Sequence, residues 1–127
     1  MIKLTESTKP PKMVYICHPM RGDAKGNSEK VRTICEGLYE KQVIPFAPHI
    51  YFGQFLDDNN PVERELALLL GREMVKRCDE LWIYGRIISE GMRGEVEIAR
   101  QIGIPIRRFE SELRSDNAVL PKMEIAA

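Results

Sequence analysis

The stretch CDELWIYGRIISEGMRGEVEIARQIGIPI, Cys78–Ile106, determines how the chain is expected to fold. Its first part, Asp79–Tyr84, has a continuous apolar core of the length typical of a buried strand. After a loop, Gly91–Gln101 has apolar residues at helical spacing, and Gly103 stands where helices commonly end. Ile104–Ile106 then begins a further strand. A strand, a helix and a strand in this order favour parallel pairing of the two strands.

The chain before this stretch alternates in the same way. Short apolar runs predict strands at Met13–Cys17 and Val43–Phe46. We expect a helix capped by Asn27 or Ser28 after the first strand, and a helix at Val62–Arg77 after the second. The alternation predicts an α/β fold, a doubly wound, Rossmann-like or flavodoxin-like parallel sheet of four to five strands with helices on both faces.

The length and charge balance limit the classes of protein. A chain of 127 residues fits one domain. We divide it into a flexible leader at 1–12, the α/β domain at 13–109 and a polar tail at 110–127. Because 19 basic residues balance 19 acidic ones, the charge indicates neither a nucleic acid polymer nor a membrane as partner. No apolar run approaches about 18 residues, so we expect a cytoplasmic protein.

The cysteines give no indication of a metal centre. Cys17, Cys35 and Cys78 are odd in number and widely spaced, so free thiols are expected and no metal site is predicted. No cofactor is predicted either.

Three loops are expected to meet at the carboxyl edge of the sheet, where such folds bind ligands. The first, His18–Asn27, contains Arg21 and Gly22, which suit a phosphate group, although a solvated loop is the alternative. This loop has neither the GxxxxGK[ST] nor the GxGxxG pattern.

The loop before the last helix has the more informative pattern. Ser89, Gly91 and the following amides can form an anion cradle at a helix N-terminus. Glu95 follows one turn after Gly91, on the same helix face. The alternative is an ordinary acidic residue favoured by the helix dipole.

The long loop Ala47–Pro61 and the histidines leave several readings open. His18 and His49 suit acid–base chemistry or a structural role. Asp57 and Asp58 suit sugar hydroxyls or a turn. The aromatic residues of the loop suit base stacking, a lid anchor or an oligomer contact; they are Tyr51, Phe52 and Phe55.

Three blocks of the chain resemble the nucleoside 2-deoxyribosyltransferase-like superfamily, and most closely its small phage- and bacteria-associated branch of unknown function. They are VYICHPMRGD (Val14–Asp23), PFAPHIYFGQFLDD (Pro45–Asp58) and the stretch Cys78–Ile106. Together they cover most of Val14 to Ile106. The last block is the most specific, because strand, loop, SxGxxxE and helix occur in the order found in that superfamily.

The resemblance implies N-glycosidic bond cleavage, or base transfer, on a 2-deoxynucleoside or its 5-monophosphate. Glu95 would attack the anomeric carbon of deoxyribose and form a glycosyl ester, which water or a second base resolves. Tyr15 matches a tyrosine that touches the sugar and the nucleophile. Ser89, Gly91 and Arg21 match positions that hold the 5-phosphate. The full set of candidate phosphate- and substrate-binding residues is His18, Met20, Arg21, Gly22, Asn27, Ser89, Gly91, Met92, Asp57 and Asp58.

Two positions depart from the pattern of that superfamily. Gly71 stands where many active members have an aspartate that helps to protonate the leaving base, and Glu73, Asp57 or Asp58 would have to substitute for it. His18 stands where Gly or Ala is common, which would narrow the site. The resemblance also implies a homodimer or a larger homo-oligomer.

Two other functions remain open beside the enzyme. One is a module that senses or sequesters a nucleotide without turning it over. The other is an interaction protein that presents the aromatic segment Ile50–Phe55 to a partner.

Overall fold

The helices and strands of the computed structural model follow the predicted alternation. The structure describes residues 10–19, 24–38, 41–109 and 124–125. The strands are β1 (Lys12–Cys17), β2 (Val43–Phe46), β3 (Glu80–Tyr84), β4 (Ile106–Phe109) and β5 (Glu124–Ile125). The helices are α1 (Ala24–Leu38), α2 (Pro48–Phe52), α3 (Pro61–Val75) and α4 (Glu90–Ile102).

The described strands form one sheet in the order β2-β1-β3-β4-β5. The first four are parallel, and β5 pairs antiparallel with β4. This is the flavodoxin-like order, so the predicted fold is confirmed. The chain leaves β1 toward one edge of the sheet and later crosses to the other edge, which places the topological switch point between β1 and β3.

Helices cover both faces of the sheet, and each face has its own core. One core joins α1 to the sheet through Val14, Ile16, Val31, Ile34, Leu38, Trp82, Tyr84 and Phe109. The other joins α3 and α4 to the opposite face through Tyr15, Cys17, Val75, Leu81, Ile83, Met92, Val96, Ala99 and Ile106. Because alternate residues of a strand point to opposite faces, β1 contributes to both cores.

Local signals fix the ends of the helices around the switch point. The side chain of Asn60 caps α3 by accepting from the backbone N–H of Val62 at 3.0 Å. Gly103 ends α4 with φ +81°, the left-handed conformation expected there, so the predicted C-terminal glycine is confirmed. Pro45 lies in β2, which is an edge strand, where a missing N–H is tolerated.

Two predictions about local structure were wrong, the cap of α1 and the unbroken loop Ala47–Pro61. The helix α1 begins at Ala24, so Asn27 and Ser28 lie inside it and do not cap it. The added first turn contains Gly26 and Asn27, which disfavour helix, so intrinsic propensity does not account for this earlier start. The predicted loop Ala47–Pro61 contains α2, which starts at a proline. The tail contributes β5, a strand too short to produce a pattern.

A buried carboxylate joins three strands at the amino end of the sheet. Glu80 accepts hydrogen bonds from Lys12 Nζ, Trp82 Nε1 and Arg107 Nε, each at 2.8 Å. Burial alone would raise its pKa, but these three donors outweigh burial and lower it to about 2. No pattern in the sequence indicated this group, which joins β1, β3 and β4 at the end of the sheet opposite the switch point.

Candidate functional site

An open cleft of about 1940 Å³ lies at the carboxyl edge of the sheet, lined by Pro45 and Phe46 at the end of β2, by Pro19 after β1 and by Ser89 after β3. The segment between β2 and α3 forms one wall, and the first turns of α4 form another. Residues from one face of α1 complete the lining. The cleft therefore lies at the switch point, where open α/β sheets bind their ligands.

Glu95 is the buried acid of this cleft. It is 4% exposed and lies among the cleft-lining residues. The hydroxyl of Tyr15 donates to Oε2, and Sγ of Cys17 donates to Oε1 at 3.4 Å. Burial raises the pKa of Glu95 to about 7, although the two donors and the charge of Arg72 act in the opposite direction. A surface glutamate at the start of a helix, the alternative left open by the sequence, does not match this environment.

The two donors remain protonated at neutral pH. Burial is the largest cause that raises the pKa of both Tyr15 and Cys17, and the negative charge of Glu95 adds to it. The carboxylate therefore receives two hydrogen bonds from neutral groups. In this arrangement Tyr15 occupies the place beside Glu95 that the sequence analysis predicted for it.

Helix α3 closes the site at Gly71. A Cβ atom on this glycine would lie 2.7 Å from Oη of Tyr15 and 3.0 Å from Oε2 of Glu95. Real Cβ atoms essentially never approach a neighbour within 3.0 Å, so only glycine fits here without a shift of the site. Nearby, Nη2 of Arg72 lies 2.7 Å from the position that a Cβ atom would occupy if Gly94 carried a side chain.

Ser89 caps the N-terminus of α4, where the sequence analysis expects an anion cradle. Oγ of Ser89 accepts from the backbone N–H of Met92 at 3.3 Å, and Sδ of Met92 accepts from the N–H of Ser89 at 3.4 Å. Met92 is buried under this turn, while Ser89 and Gly91 are half-buried in the lining. The hydroxyl proton of Ser89 is not used by this cap, so it can be donated to an anion.

The two histidines lie together at the mouth of β1. His18 is buried, and its Nδ1 donates to the carbonyl of Pro19 at 2.7 Å. A hydrogen bond to the backbone of His18 holds His49, whose buried Nε2 has no partner among the described residues. Burial lowers the pKa of His49, against the opposing effects of this bond and of Asp58.

The three acids proposed to replace the missing aspartate, Asp57, Asp58 and Glu73, differ from one another in their surroundings. Oδ1 of Asp57 accepts from the N–H of Asn59 at 2.9 Å, which is the turn that the sequence left as an alternative. Asp57 and Asp58 both line the cleft, and Asp58 lies 3.7 Å from Nε of Arg64. Glu73 is exposed, lies 2.9 Å from Nζ of Lys76 and does not line the cleft, so its predicted role was wrong.

The first strand-end loop is described only in part. Met20, Arg21 and Gly22 lie outside the described residues. Asn27 lies within the described residues but does not line the cleft. The residues of α1 that line it are Lys25, Ser28, Glu29, Arg32, Cys35 and Glu36.

Aromatic rings form a connected row along the wall of the cleft. The ring centroid of Tyr15 lies 5.9 Å from that of Phe46, which lies 5.9 Å from that of Tyr51. Tyr51 lies 5.6 Å from Phe55, and these last two rings are 52% and 59% exposed. The row therefore runs from Tyr15, which contacts Glu95, to the exposed rings of Tyr51 and Phe55, for which base stacking stays one of the open predictions.

Sequence reasoning missed Cys17 as a site residue. It treated the three cysteines only as free thiols. Cys17 follows Tyr15 by two positions, and residues two apart on a strand share a face. This spacing was the available signal that both side chains reach Glu95.

The fold and the cleft define a flavodoxin-like α/β domain with a buried carboxylate, whose pKa burial raises, at its switch point. Residues 12–109 match the family described as a domain of unknown function (DUF7768), and the chain belongs to this family. The match runs from the first residue of β1 to the last residue of β4, so it includes Tyr15, Gly71 and Glu95. No curated protein matches the chain.

Two further findings concern ligands and membranes. Within the described ranges, no group of three or more His, Cys, Asp or Glu residues is placed to hold a metal ion. No described helix combines the length and apolar character needed to cross a membrane.

Proposed function

We propose that the cleft binds a 2-deoxynucleoside or its 5-monophosphate and that Glu95 cleaves the N-glycosidic bond. The observation that carries this proposal is the buried carboxylate in the cleft, held by Tyr15 and Cys17. A carboxylate that costs folding energy, lies in a cleft and has a shifted pKa is typical of a functional group. The resemblance to nucleoside 2-deoxyribosyltransferases supplies the reaction.

The proposed reaction is a double displacement at the anomeric carbon. A lone pair of the Glu95 carboxylate forms an ester bond to this carbon, the carbon–nitrogen bond breaks, and its electron pair leaves with the base. The base takes a proton from solvent or from an acid of the cleft. Water then attacks the same carbon, the carboxylate leaves, and one water proton passes to solvent; a second base in place of water gives transfer.

The N-terminus of α4 is the proposed phosphate site. Ser89 has a hydroxyl proton to donate, and the first amides of the helix favour an anion. Arg21 is assigned to the same phosphate by the resemblance alone. Asp57 and Asp58 line the cleft and are proposed to accept hydrogen bonds from sugar hydroxyls.

The test is release of free base from a panel of deoxynucleosides and their 5-monophosphates. We expect Glu95→Gln to abolish release, because the amide is not a nucleophile. Glu97→Gln is the matched control, since Glu97 is exposed on the same helix two residues away. No release by the wild type, or undiminished release by Glu95→Gln, contradicts the proposal.

The rate of base release should depend on the titration of Glu95. Only the ionised carboxylate is a nucleophile, so activity should be low at acidic pH and reach its plateau above about pH 7. An acid limb that stays near the ordinary glutamate value of 4.5 would contradict the assigned role.

A module that binds a nucleotide without cleaving it is the second candidate function. The observation that favours it is Gly71, whose close packing leaves no room for the aspartate that assists the leaving base in the resembling enzymes. This function predicts a thermal upshift with a deoxynucleotide and no product. At 100 times the dissociation constant the stabilisation should be roughly 2.7 kcal/mol.

The predicted homo-oligomer remains part of the proposal. Size-exclusion chromatography with light scattering, with and without a deoxynucleotide, measures it.

A further inference from the structure

Cys17 is a residue of the site to which neither the sequence pattern nor the resemblance gives a role. It is completely buried and lies on β1, two residues after Tyr15. Its Sγ donates to Oε1 of Glu95 at 3.4 Å, while the hydroxyl of Tyr15 donates to Oε2. The two side chains thus reach the carboxylate from one face of one strand and take one oxygen each.

The two oxygens of Glu95 have different surroundings. Oε2 lies between the hydroxyl of Tyr15 and Gly71, and a Cβ on this glycine would be only 3.0 Å from it. Helix α3 therefore covers Oε2 closely. Oε1 is held by a thiol, which is a weaker hydrogen-bond donor than a hydroxyl.

We propose that Cys17 is a positioning residue that holds Oε1 of Glu95 toward the cleft as the attacking oxygen. As far as it concerns attack, this inference rests on the proposed function. A weak donor fixes the direction of the carboxylate but withdraws little electron density from Oε1. In the attack, the lone pair of Oε1 goes to the anomeric carbon, and the thiol keeps its proton.

Several charged or titratable groups surround the carboxylate. Tyr15 and Cys17 approach it from β1, and Arg72 acts on it from α3. Cys78 lies close enough to affect both Tyr15 and Cys17. A substitution at Cys17 changes one of these groups and leaves the others in place.

The experiment measures the titration of Glu95 in the folded, ligand-free protein. The probe is the carboxyl ¹³C signal of glutamate-labelled protein, assigned by its loss in Glu95→Gln. We expect Cys17→Ala to raise the pKa of Glu95 by about half a unit to one unit, because a hydrogen bond to the charged form is lost. Cys17→Ser should lower it, because a hydroxyl is the stronger donor.

Cys35→Ala is the matched control. This half-buried thiol is not a hydrogen-bond partner of Glu95, so its loss should leave the titration unchanged. Cys17→Ser is nearly isosteric and keeps the experiment decisive if Cys17→Ala does not fold. Equal titration of Glu95 in wild type, Cys17→Ala and Cys17→Ser overturns the positioning role.

The midpoint of the acid limb of the kcat profile should move in the same direction as the pKa. Pure loss of packing would lower kcat without moving this midpoint. A shifted pKa with no base release by the wild type contradicts the proposed function but supports the hydrogen-bonding role of Cys17. Base release by the wild type with an unshifted pKa in the Cys17 variants supports the proposed function and contradicts the hydrogen-bonding role of Cys17.

Discussion

Gly71 is the residue whose size matters most to the arrangement around Glu95. A Cβ atom there would meet the hydroxyl end of a buried tyrosine ring at 2.7 Å. That hydroxyl cannot move away without losing its hydrogen bond to Glu95. We therefore expect Gly71→Ala to destabilise the protein by about 1–3 kcal/mol, although alanine favours helix by about 1 kcal/mol. Denaturant unfolding measures the change.

Gly91→Ala is the control for this prediction. Its Cβ would meet only a methyl group of Leu68, at an ordinary contact distance of 3.5 Å. Because the helix preference of alanine is unopposed there, this variant should be as stable as the wild type or more stable by up to about 1 kcal/mol. Equal losses at both positions would show that close packing at Gly71 is unimportant. The same geometry implies that Gly71→Asp does not restore the acid of the resembling enzymes.

At the scale of residues, the sequence predicted the acid and the donor on one oxygen but not the second donor. Glu95 and Tyr15 stand in recognisable blocks of sequence. The role of Cys17 depends on a contact between residues 78 positions apart, which only the folded sheet creates. The close approach at Gly71 likewise depends on how α3 packs against α4.

At the scale of elements, Ser89 combines a structural role and a proposed binding role at the N-terminus of α4. The side chain of Ser89 caps the helix, and its hydroxyl proton is the proposed donor to a phosphate. Ser89→Asp should separate these tasks, because aspartate is an equally good N-cap but carries a negative charge. We expect stability within about 0.5 kcal/mol of the wild type, and binding of a deoxynucleoside 5-monophosphate weakened at least tenfold.

Two comparisons sharpen this prediction. Ser89→Ala should lose about 1 kcal/mol of stability, because the cap is removed without adding a charge. Binding of the unphosphorylated deoxynucleoside to Ser89→Asp should be unchanged, since the added charge meets no phosphate. Isothermal titration calorimetry measures both ligands, and equal weakening of the two would argue against a phosphate at this helix end.

The elements that sequence reasoning placed well have strong signals at their ends. Gly103 and the apolar core of β3 are examples. The start of α1 was misplaced because capping residues also occur inside helices. The helix α2 has only five residues, too few for helical periodicity to be recognised, although Pro48 is a typical first residue.

The whole sheet has opposite electrostatic character at its two ends. At the amino end, the donors to Glu80 hold its pKa at about 2, so ionisation of this group favours folding. At the carboxyl end, burial raises the pKa of Glu95 to about 7, so ionisation of this group opposes folding. The ionised carboxylate at the cleft end thus lowers the stability of the fold, whereas the one at the amino end raises it. Such a loss of stability is common at functional sites.

The combined contribution of Glu80 and Glu95 to stability should therefore rise and then fall with increasing pH, while the lowered pKa of His49 adds a rise below about pH 6.5. Because the pKa of Glu80 is lowered, its contribution to the free energy of unfolding develops as pH rises from about 2 to 4.5. Above pH 4.5 this contribution is constant. The raised pKa of Glu95 makes the folded state retain a proton that the unfolded state has lost between 4.5 and about 7, so stability falls there. At 1.36 kcal/mol per pKa unit, this fall amounts to roughly 3 kcal/mol.

Variants assign each limb of this profile to one carboxylate. In urea unfolding from about pH 3 to about pH 8, Glu95→Gln should lack the fall between pH 4.5 and about 7 and exceed the wild type in stability at neutral pH. Glu80→Gln should lack the acidic rise and be less stable than the wild type at neutral pH, because Lys12 and Arg107 lose their charged acceptor. Glu73→Gln, which changes an exposed pair, should follow the wild-type profile. A wild-type profile that Glu95→Gln leaves unaltered would mean that this carboxylate is already ionised at its ordinary pKa, and the electrostatic character assigned to the cleft would be wrong.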